Sequence, residues 1–450
     1  MKKNFLNKSI LRIVISFVLL FEILIINILT YSTKQDLKLL VSIFSIDTLL
    51  VIYCFLKFVG SLKGLILSVE FIYICIFYLY AIFAPVQYLL DDGMQRQYYF
   101  AITDITICKS TLLYLNIFIV LSILLLLGGY PKNKNNVEWF KNKLYLKKRN
   151  KTNIIFDVLA IVCLMIWVFQ FLKNGFSIFN ASFLVRRKLL SFGVQQYIWL
   201  YMMVYSFVFI SECGFEKSYF NKKEKLFKII IIVLFWGLSL LIDRRHIIPV
   251  FVGILMFLVS QKNKIKFKNV IIVIGIVALL LLYSVTRMGM KVTTISFKNL
   301  TYTSLSEFIL TNYVTCYYIA NPIDKLYLGS TYIWHTISRL FPHFILPNKP
   351  EDLAVTFYRN VLNSKVGYAF NPVAEGLMNF GNVSIIITPL IFLFVINLAV
   401  KSRDKNPLFY IIVSAYSLDF CRGQFANCMF DLLFMYILLK MMNRFSENNL

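Results

Sequence analysis

The segment from Asn371 to Gly381, NPVAEGLMNFG, sets one carboxylate, Glu375, just before a long apolar run and among residues that let a backbone bend close to a ligand. A carboxylate so placed can act as a general base toward a hydroxyl. It can equally be a helix-start acid favoured by the macrodipole, or the partner of an arginine. Upstream in the same stretch stand His335, Arg339, Pro342, His343, Pro347, Pro350 and Arg359, and His335 is the other group nominated to move a proton.

Arginine carries a second signal. Arg187, Arg244, Arg245, Arg287, Arg339 and Arg422 are the ones nominated to bind an anion, and most lie within a few residues of the end of an apolar run. A guanidinium never deprotonates and grips phosphate with a planar fork of donors, which suits a diphosphate headgroup at a bilayer surface. Snorkelling to the interface, or pairing with lipid phosphate and local acids, is the competing explanation for any one of them. The run Asp243-Arg244-Arg245-His246 fills a turn so tight that its polar groups need partners at hydrocarbon depth. There Asp243 is expected to orient one of the two arginines.

Other chemistries find little support. No P-loop, HExxH, GxSxG or Gly-rich dinucleotide loop occurs, and Asp91-Asp92 is not a spaced DxD pair. The eight cysteines form no CxxC pair, and the three histidines lack ligand spacing. Neither a metal nor a cofactor is expected.

The elements that must position these residues are membrane helices. The 450-residue chain is 59% hydrophobic and 17% aromatic, above the apolar share of about 45–50% in soluble domains. Its apolar runs have the length a helix needs to cross the hydrocarbon core, about 20 residues. The net charge of +25 comes largely from lysines in short clusters between those runs, which read as topology signals rather than as a nucleic-acid-binding face. Hydropathy predicts about twelve transmembrane helices, at 10–31, 37–59, 62–84, 110–129, 153–172, 194–212, 227–242, 247–260, 270–285, 384–400, 407–420 and 425–441. The first is expected to be retained rather than cleaved.

The Lys-rich connections 130–152, 213–228, 261–269 and 401–405 all fall on one side, which is therefore cytoplasmic together with both termini. The fold class is an all-α polytopic protein of the cytoplasmic membrane. It divides into helices one to nine over 1–285, a long outer loop over 286–383, and helices ten to twelve over 384–450. Within the loop, 304–320 is expected to lie on the membrane as an amphipathic or re-entrant helix. Against the orientation rule, most arginines fall on the outer side: Arg96, Arg186, Arg187, Arg244, Arg245, Arg287, Arg339, Arg359 and Arg422.

In this order, Arg244 and Arg245, Arg287, Gly329-Ser330 followed by LFPHFILPNKP, the loop ending AEGLMNFG and finally Arg422-Gly423, the chain resembles the bacterial Wzy-type O-antigen and capsule repeat-unit polymerases. The ending matches that family's Glu-x-x-x-Asn-Phe-Gly. The resemblance implies a GT-C-like, inverting, metal-independent glycosyl transfer on the outer face of the membrane. The substrate it implies is an undecaprenyl-diphosphate-linked oligosaccharide, and a chain-length regulator is the expected protein partner. Two other functions compete. A lipid-linked oligosaccharide flippase would bury charges within its helices and lack so long a loop, and a membrane O-acyltransferase would find its histidine in His246.

Overall fold

The computed structural model describes residues 2–90, 102–131, 154–175, 189, 194–213, 222–240, 246–261, 297–341, 345–363 and 369–447. Its regular elements are all helical. The first nine are α1 (Lys2–Ile28), α2 (Lys34–Val59), α3 (Leu62–Ile66), α4 (Val69–Leu90), α5 (Asp104–Leu127), α6 (Ile154–Asn174), α7 (Gln195–Cys213), α8 (Lys222–Leu240) and α9 (Ile247–Gln261). There follow α10 (Phe297–Ala320), α11 (Ser330–Arg339), α12 (Leu353–Thr356), α13 (Pro372–Phe380), α14 (Ser384–Ser402), α15 (Pro407–Ala415), α16 (Ser417–Arg422) and α17 (Phe425–Glu447).

Among the described residues seven segments are long and apolar enough to cross a membrane: Ser9–Ile28, α2, α4, α5, α6, the α13–α14 run Pro372–Ser402, and Phe425–Asn443. Ile247–Ser260 is a shorter apolar helix. The predicted run 270–285 lies outside the described residues. Two predicted runs are divided. The 62–84 run becomes α3 and α4, because the Ser61 hydroxyl caps α3 by accepting from Gly64 N–H and the Ser68 hydroxyl donates back to the Leu65 carbonyl. The 407–420 run breaks at Tyr416 into α15 and α16, and the buried Tyr416 hydroxyl donates to Asp431.

The chain sorts into two compact units. The first joins Met1–Asn136, Leu305–Lys401 and Ser417–Phe430. In it α5 packs against α1, α2 and α4. Asn27 of α1 and Asn116 of α5 exchange amide hydrogen bonds at 3.1 and 2.9 Å, the kind of reciprocal pair that fixes helices against each other where water is scarce.

Of the two forms expected for 304–320, amphipathic or re-entrant, the packing bears on the surface-lying one. That stretch is the later part of the 24-residue α10, and its Ile309, Tyr313, Val314 and Cys316 are fully buried or nearly so. Thr311, Asn312 and Thr315 are buried as well. Asn312 accepts from Ser110 of α5 at 2.9 Å and donates to the Ala81 carbonyl of α4 at 3.3 Å, while Thr315 meets the Tyr114 hydroxyl at 3.3 Å. A helix lying on a membrane would present those groups to headgroups; here they mate with neighbouring helices.

The second unit joins Val137–Ser304, Ser402–Tyr416 and Asp431–Leu450. Lys228 of α8 pairs with Asp157 of α6 at 2.7 Å, and the Tyr205 hydroxyl of α7 donates to the same carboxylate oxygen at 2.8 Å. A lysine as buried as Lys228 is held only with a partner, and this triad links three helices.

Candidate functional site

The region around Glu375 lies wholly within the first unit. Helix α13 starts where the Asn371 side chain caps it, accepting from Ala374 N–H at 2.8 Å, and Pro372 occupies the first turn, where a missing N–H costs nothing. The Asn371 amide also donates to the Thr311 carbonyl and to Thr315 Oγ1, so α10 anchors the helix start. Gly376 is where α13 approaches α14: a Cβ there would lie 2.3 Å from Thr388 Oγ1 and 3.1 Å from Ser384 Cβ.

At its other end α13 receives the chain that leads into α11. Tyr327 N–H donates to the Met378 carbonyl at 3.1 Å, Leu328 N–H to the Asn379 carbonyl at 3.0 Å, and Gly329 N–H to Asn379 Oδ1 at 2.9 Å. Gly329 has φ +86°, a left-handed turn that glycine takes without strain, and it starts α11.

Glu375 is completely buried and both its oxygens are engaged. Oε1 accepts the Thr331 hydroxyl of α11 at 2.7 Å, and Oε2 accepts the backbone N–H of Phe425, the first residue of α17, at 2.8 Å. Asn379, one turn along α13, donates to Thr331 Oγ1 at 2.6 Å and to the Glu375 carbonyl at 2.8 Å. One carboxylate thus gathers α11, α13 and the positive end of α17. Tyr332 adds apolar closure, with its ring stacked on Phe380 at 6.0 Å and edge-on to Phe425 at 5.3 Å.

His335 stands one turn beyond Thr331 and is mostly buried. Its Nδ1 lies 2.7 Å from Nε2 of Gln424, whose Oε1 accepts the Leu353 N–H at 3.1 Å. Arg339, one further turn on, is part-exposed and holds Asp352 only loosely, at 3.7 Å. Its Nη2 has no hydrogen-bond partner among the described residues. Asp352 caps α12 by accepting Ala354 N–H at 2.9 Å and takes a further hydrogen bond from the Asn427 amide.

Helix α11 has two faces. Thr331, Tyr332, His335 and Ser338 are buried against the protein, while Ile333, Trp334 and Ile337, with Leu340 and Phe341 just beyond, are exposed. The apolar residues face outward and the polar ones inward, opposite to a water-facing helix and suited to an apolar surrounding.

The structure therefore brings together Glu375, His335 and Arg339, and it places Arg422 at the end of α16, two residues before Gln424. Arg187, Arg244, Arg245 and Arg287 lie outside the described residues, as do Asp243 and His343. His246 belongs to the second unit, where its ring stacks on Trp199 at 4.3 Å in a buried position. Asp352, Gln424, Thr331 and Asn427 were missed from sequence. For Asp352 a signal existed in the Pro350-Glu351-Asp352 start of a short helix, whereas nothing local marks Gln424. Among the described residues no group of three or more His, Cys, Asp and Glu is arranged to hold a metal ion.

No curated protein and no solved structure gives a significant match to the chain. A family model described as O-antigen polysaccharide polymerase Wzy matches residues 12–442, a range that takes in every residue of the Glu375–His335–Arg339 site. With a helical, multi-pass membrane architecture and a match over nearly its whole length, the chain belongs to the O-antigen polysaccharide polymerase Wzy family.

Proposed function

We propose that this chain joins undecaprenyl-diphosphate-linked oligosaccharide repeat units on the outer face of the cytoplasmic membrane, by inverting, metal-independent glycosyl transfer. The observation that carries this reading is the make-up of α11 and its flank, where an arginine held only loosely by Asp352, at 3.7 Å, and a histidine stand beside an outward apolar face. A substrate matching that combination is an anion on a long apolar chain. Arg339 takes a phosphate oxygen, Arg422 adds positive charge, and the apolar face meets lipid or the polyprenyl chain. As the glycosidic bond to the diphosphate breaks, these donors stabilise the charge growing on the departing oxygen.

The attacking hydroxyl must lose its proton, and Glu375 is the carboxylate assigned that role. Its burial sets a condition: Thr331 has to withdraw before a hydroxyl reaches the carboxylate. A second reading gives the proton to Asp352, which is favoured by its partial exposure beside Arg339. A chain-length regulator acts as the protein partner.

Purified protein in liposomes, supplied with a synthetic lipid-diphosphate-linked repeat unit, tests the reading. Polymer should form without nucleotide sugar or added metal. Glu375→Gln at normal membrane levels should leave single units unjoined, while Asp352→Asn polymerises. The reverse pattern moves the base to Asp352, and absence of polymer with the parent protein overturns the function.

A further inference from the structure

We propose that Gln424 is a positioning residue that holds His335 as a neutral imidazole with its proton on Nε2, so that His335 gives a hydrogen bond to the leaving phosphate rather than accepting a proton. The inference rests on the polymerase reading for the leaving group, but the tautomer itself follows from geometry.

The Gln424 amide has no freedom to turn over. Its oxygen accepts the Leu353 backbone N–H at 3.1 Å, and a flipped amide would set its own N–H groups against that donor. Its nitrogen must therefore face His335, where the separation from Nδ1 is 2.7 Å. An amide nitrogen only donates, so Nδ1 accepts and the ring proton resides on Nε2. Gln424 is almost completely buried, so water does not relax this arrangement.

An imidazolium would point a second N–H at the Gln424 nitrogen and lie near the Arg339 guanidinium, with Asp352 as the opposing charge. Glu375, engaged with Thr331 and Phe425, offers the ring no hydrogen bond among those described. His335 and Arg339 are four residues apart on one helix, so their donors serve one anion together. The base is thereby left to a carboxylate. Partners that orient an imidazole from behind matter elsewhere by factors of about 10 to 100.

Two measurements test the proposal. The chain has only three histidines, His246, His335 and His343, so ¹⁵N-histidine spectra in bilayers, assigned by replacing the other two, report the His335 tautomer directly. The Nε2–H form is expected in the parent, and the Nδ1–H form there would overturn the inference whether or not polymer is made. Gln424→Glu keeps an oxygen for Leu353 N–H but turns the group facing Nδ1 into an acceptor. Its polymerisation rate should fall about tenfold or more at pH 7, with the activity profile displaced along the pH axis and KM little changed. An unchanged rate and profile in an active preparation would also sink the proposal, while an inactive parent protein would count against the polymerase reading alone.

Discussion

The Thr331 hydroxyl donates to Glu375 Oε1 at 2.7 Å across 44 positions of sequence, and the same hydroxyl oxygen accepts from Asn379 at 2.6 Å. The threonine is a relay with its proton committed in one direction. Thr331→Val keeps the shape but leaves a buried carboxylate oxygen without a partner and takes from the Asn379 amide one of its two hydrogen bonds, leaving the one to the Glu375 carbonyl. The variant should lose about 1–3 kcal/mol of stability, measured by denaturation in detergent, and Thr331→Ser should recover most of it.

Gly376→Ala should be destabilising by about 1–3 kcal/mol, since its methyl would enter the space of Thr388 Oγ1. The double variant with Thr388→Ala should regain part of the loss, because the obstructing hydroxyl is gone. A double variant no more stable than Gly376→Ala alone would show that the strain lies in the backbone instead.

Arg339→Lys keeps the charge and loses the fork. Polymer synthesis in liposomes should drop about tenfold, with the deficit appearing in KM for the lipid-linked unit if Arg339 contacts the diphosphate. Full activity would reduce Arg339 to a partner of Asp352.

Burial holds His335 below the ordinary histidine value of 6.5, the Arg339 charge pushes it the same way, and Asp352 opposes them. The unfolded chain therefore binds this proton more readily than the folded one. Stability on this account is intact above the ordinary value and declines as pH falls through 6.5 toward the lowered folded value. Denaturation curves between about pH 7 and 5 should show this slope in the parent and a shallower one in His335→Gln.

The proposed sidedness has its own check. A cysteine placed at Asn363 should react with an impermeant thiol reagent from outside the cell, and cysteines in 130–152 and 261–269 only from the cytoplasm. Labelling of the latter from outside would reverse the orientation and the site with it.

The sequence by itself determined what depends on neighbours along the chain. Apolar runs long enough to cross a bilayer had to be helices, and the Asn371-Pro372 start and Gly381 end of α13 follow from the capping chemistry of those residue types. Glu375 and Asn379 are four positions apart, so once Pro372–Phe380 is a helix both lie on one side of it. Tertiary structure alone decided what those side chains meet. Nothing near Glu375 in the chain announces that Phe425 N–H is 50 positions away, or that Gln424 reaches His335 over 89. The same holds for α10, whose semi-apolar stretch 304–320 reads as an amphipathic or re-entrant helix and whose Asn312 and Thr315 find buried partners. Their partners on α4, α5 and α13 exist only once the bundle closes. Local propensity and capping act within a turn or two of helix, whereas a buried hydrogen bond is satisfied by whatever the packing brings within about 3 Å.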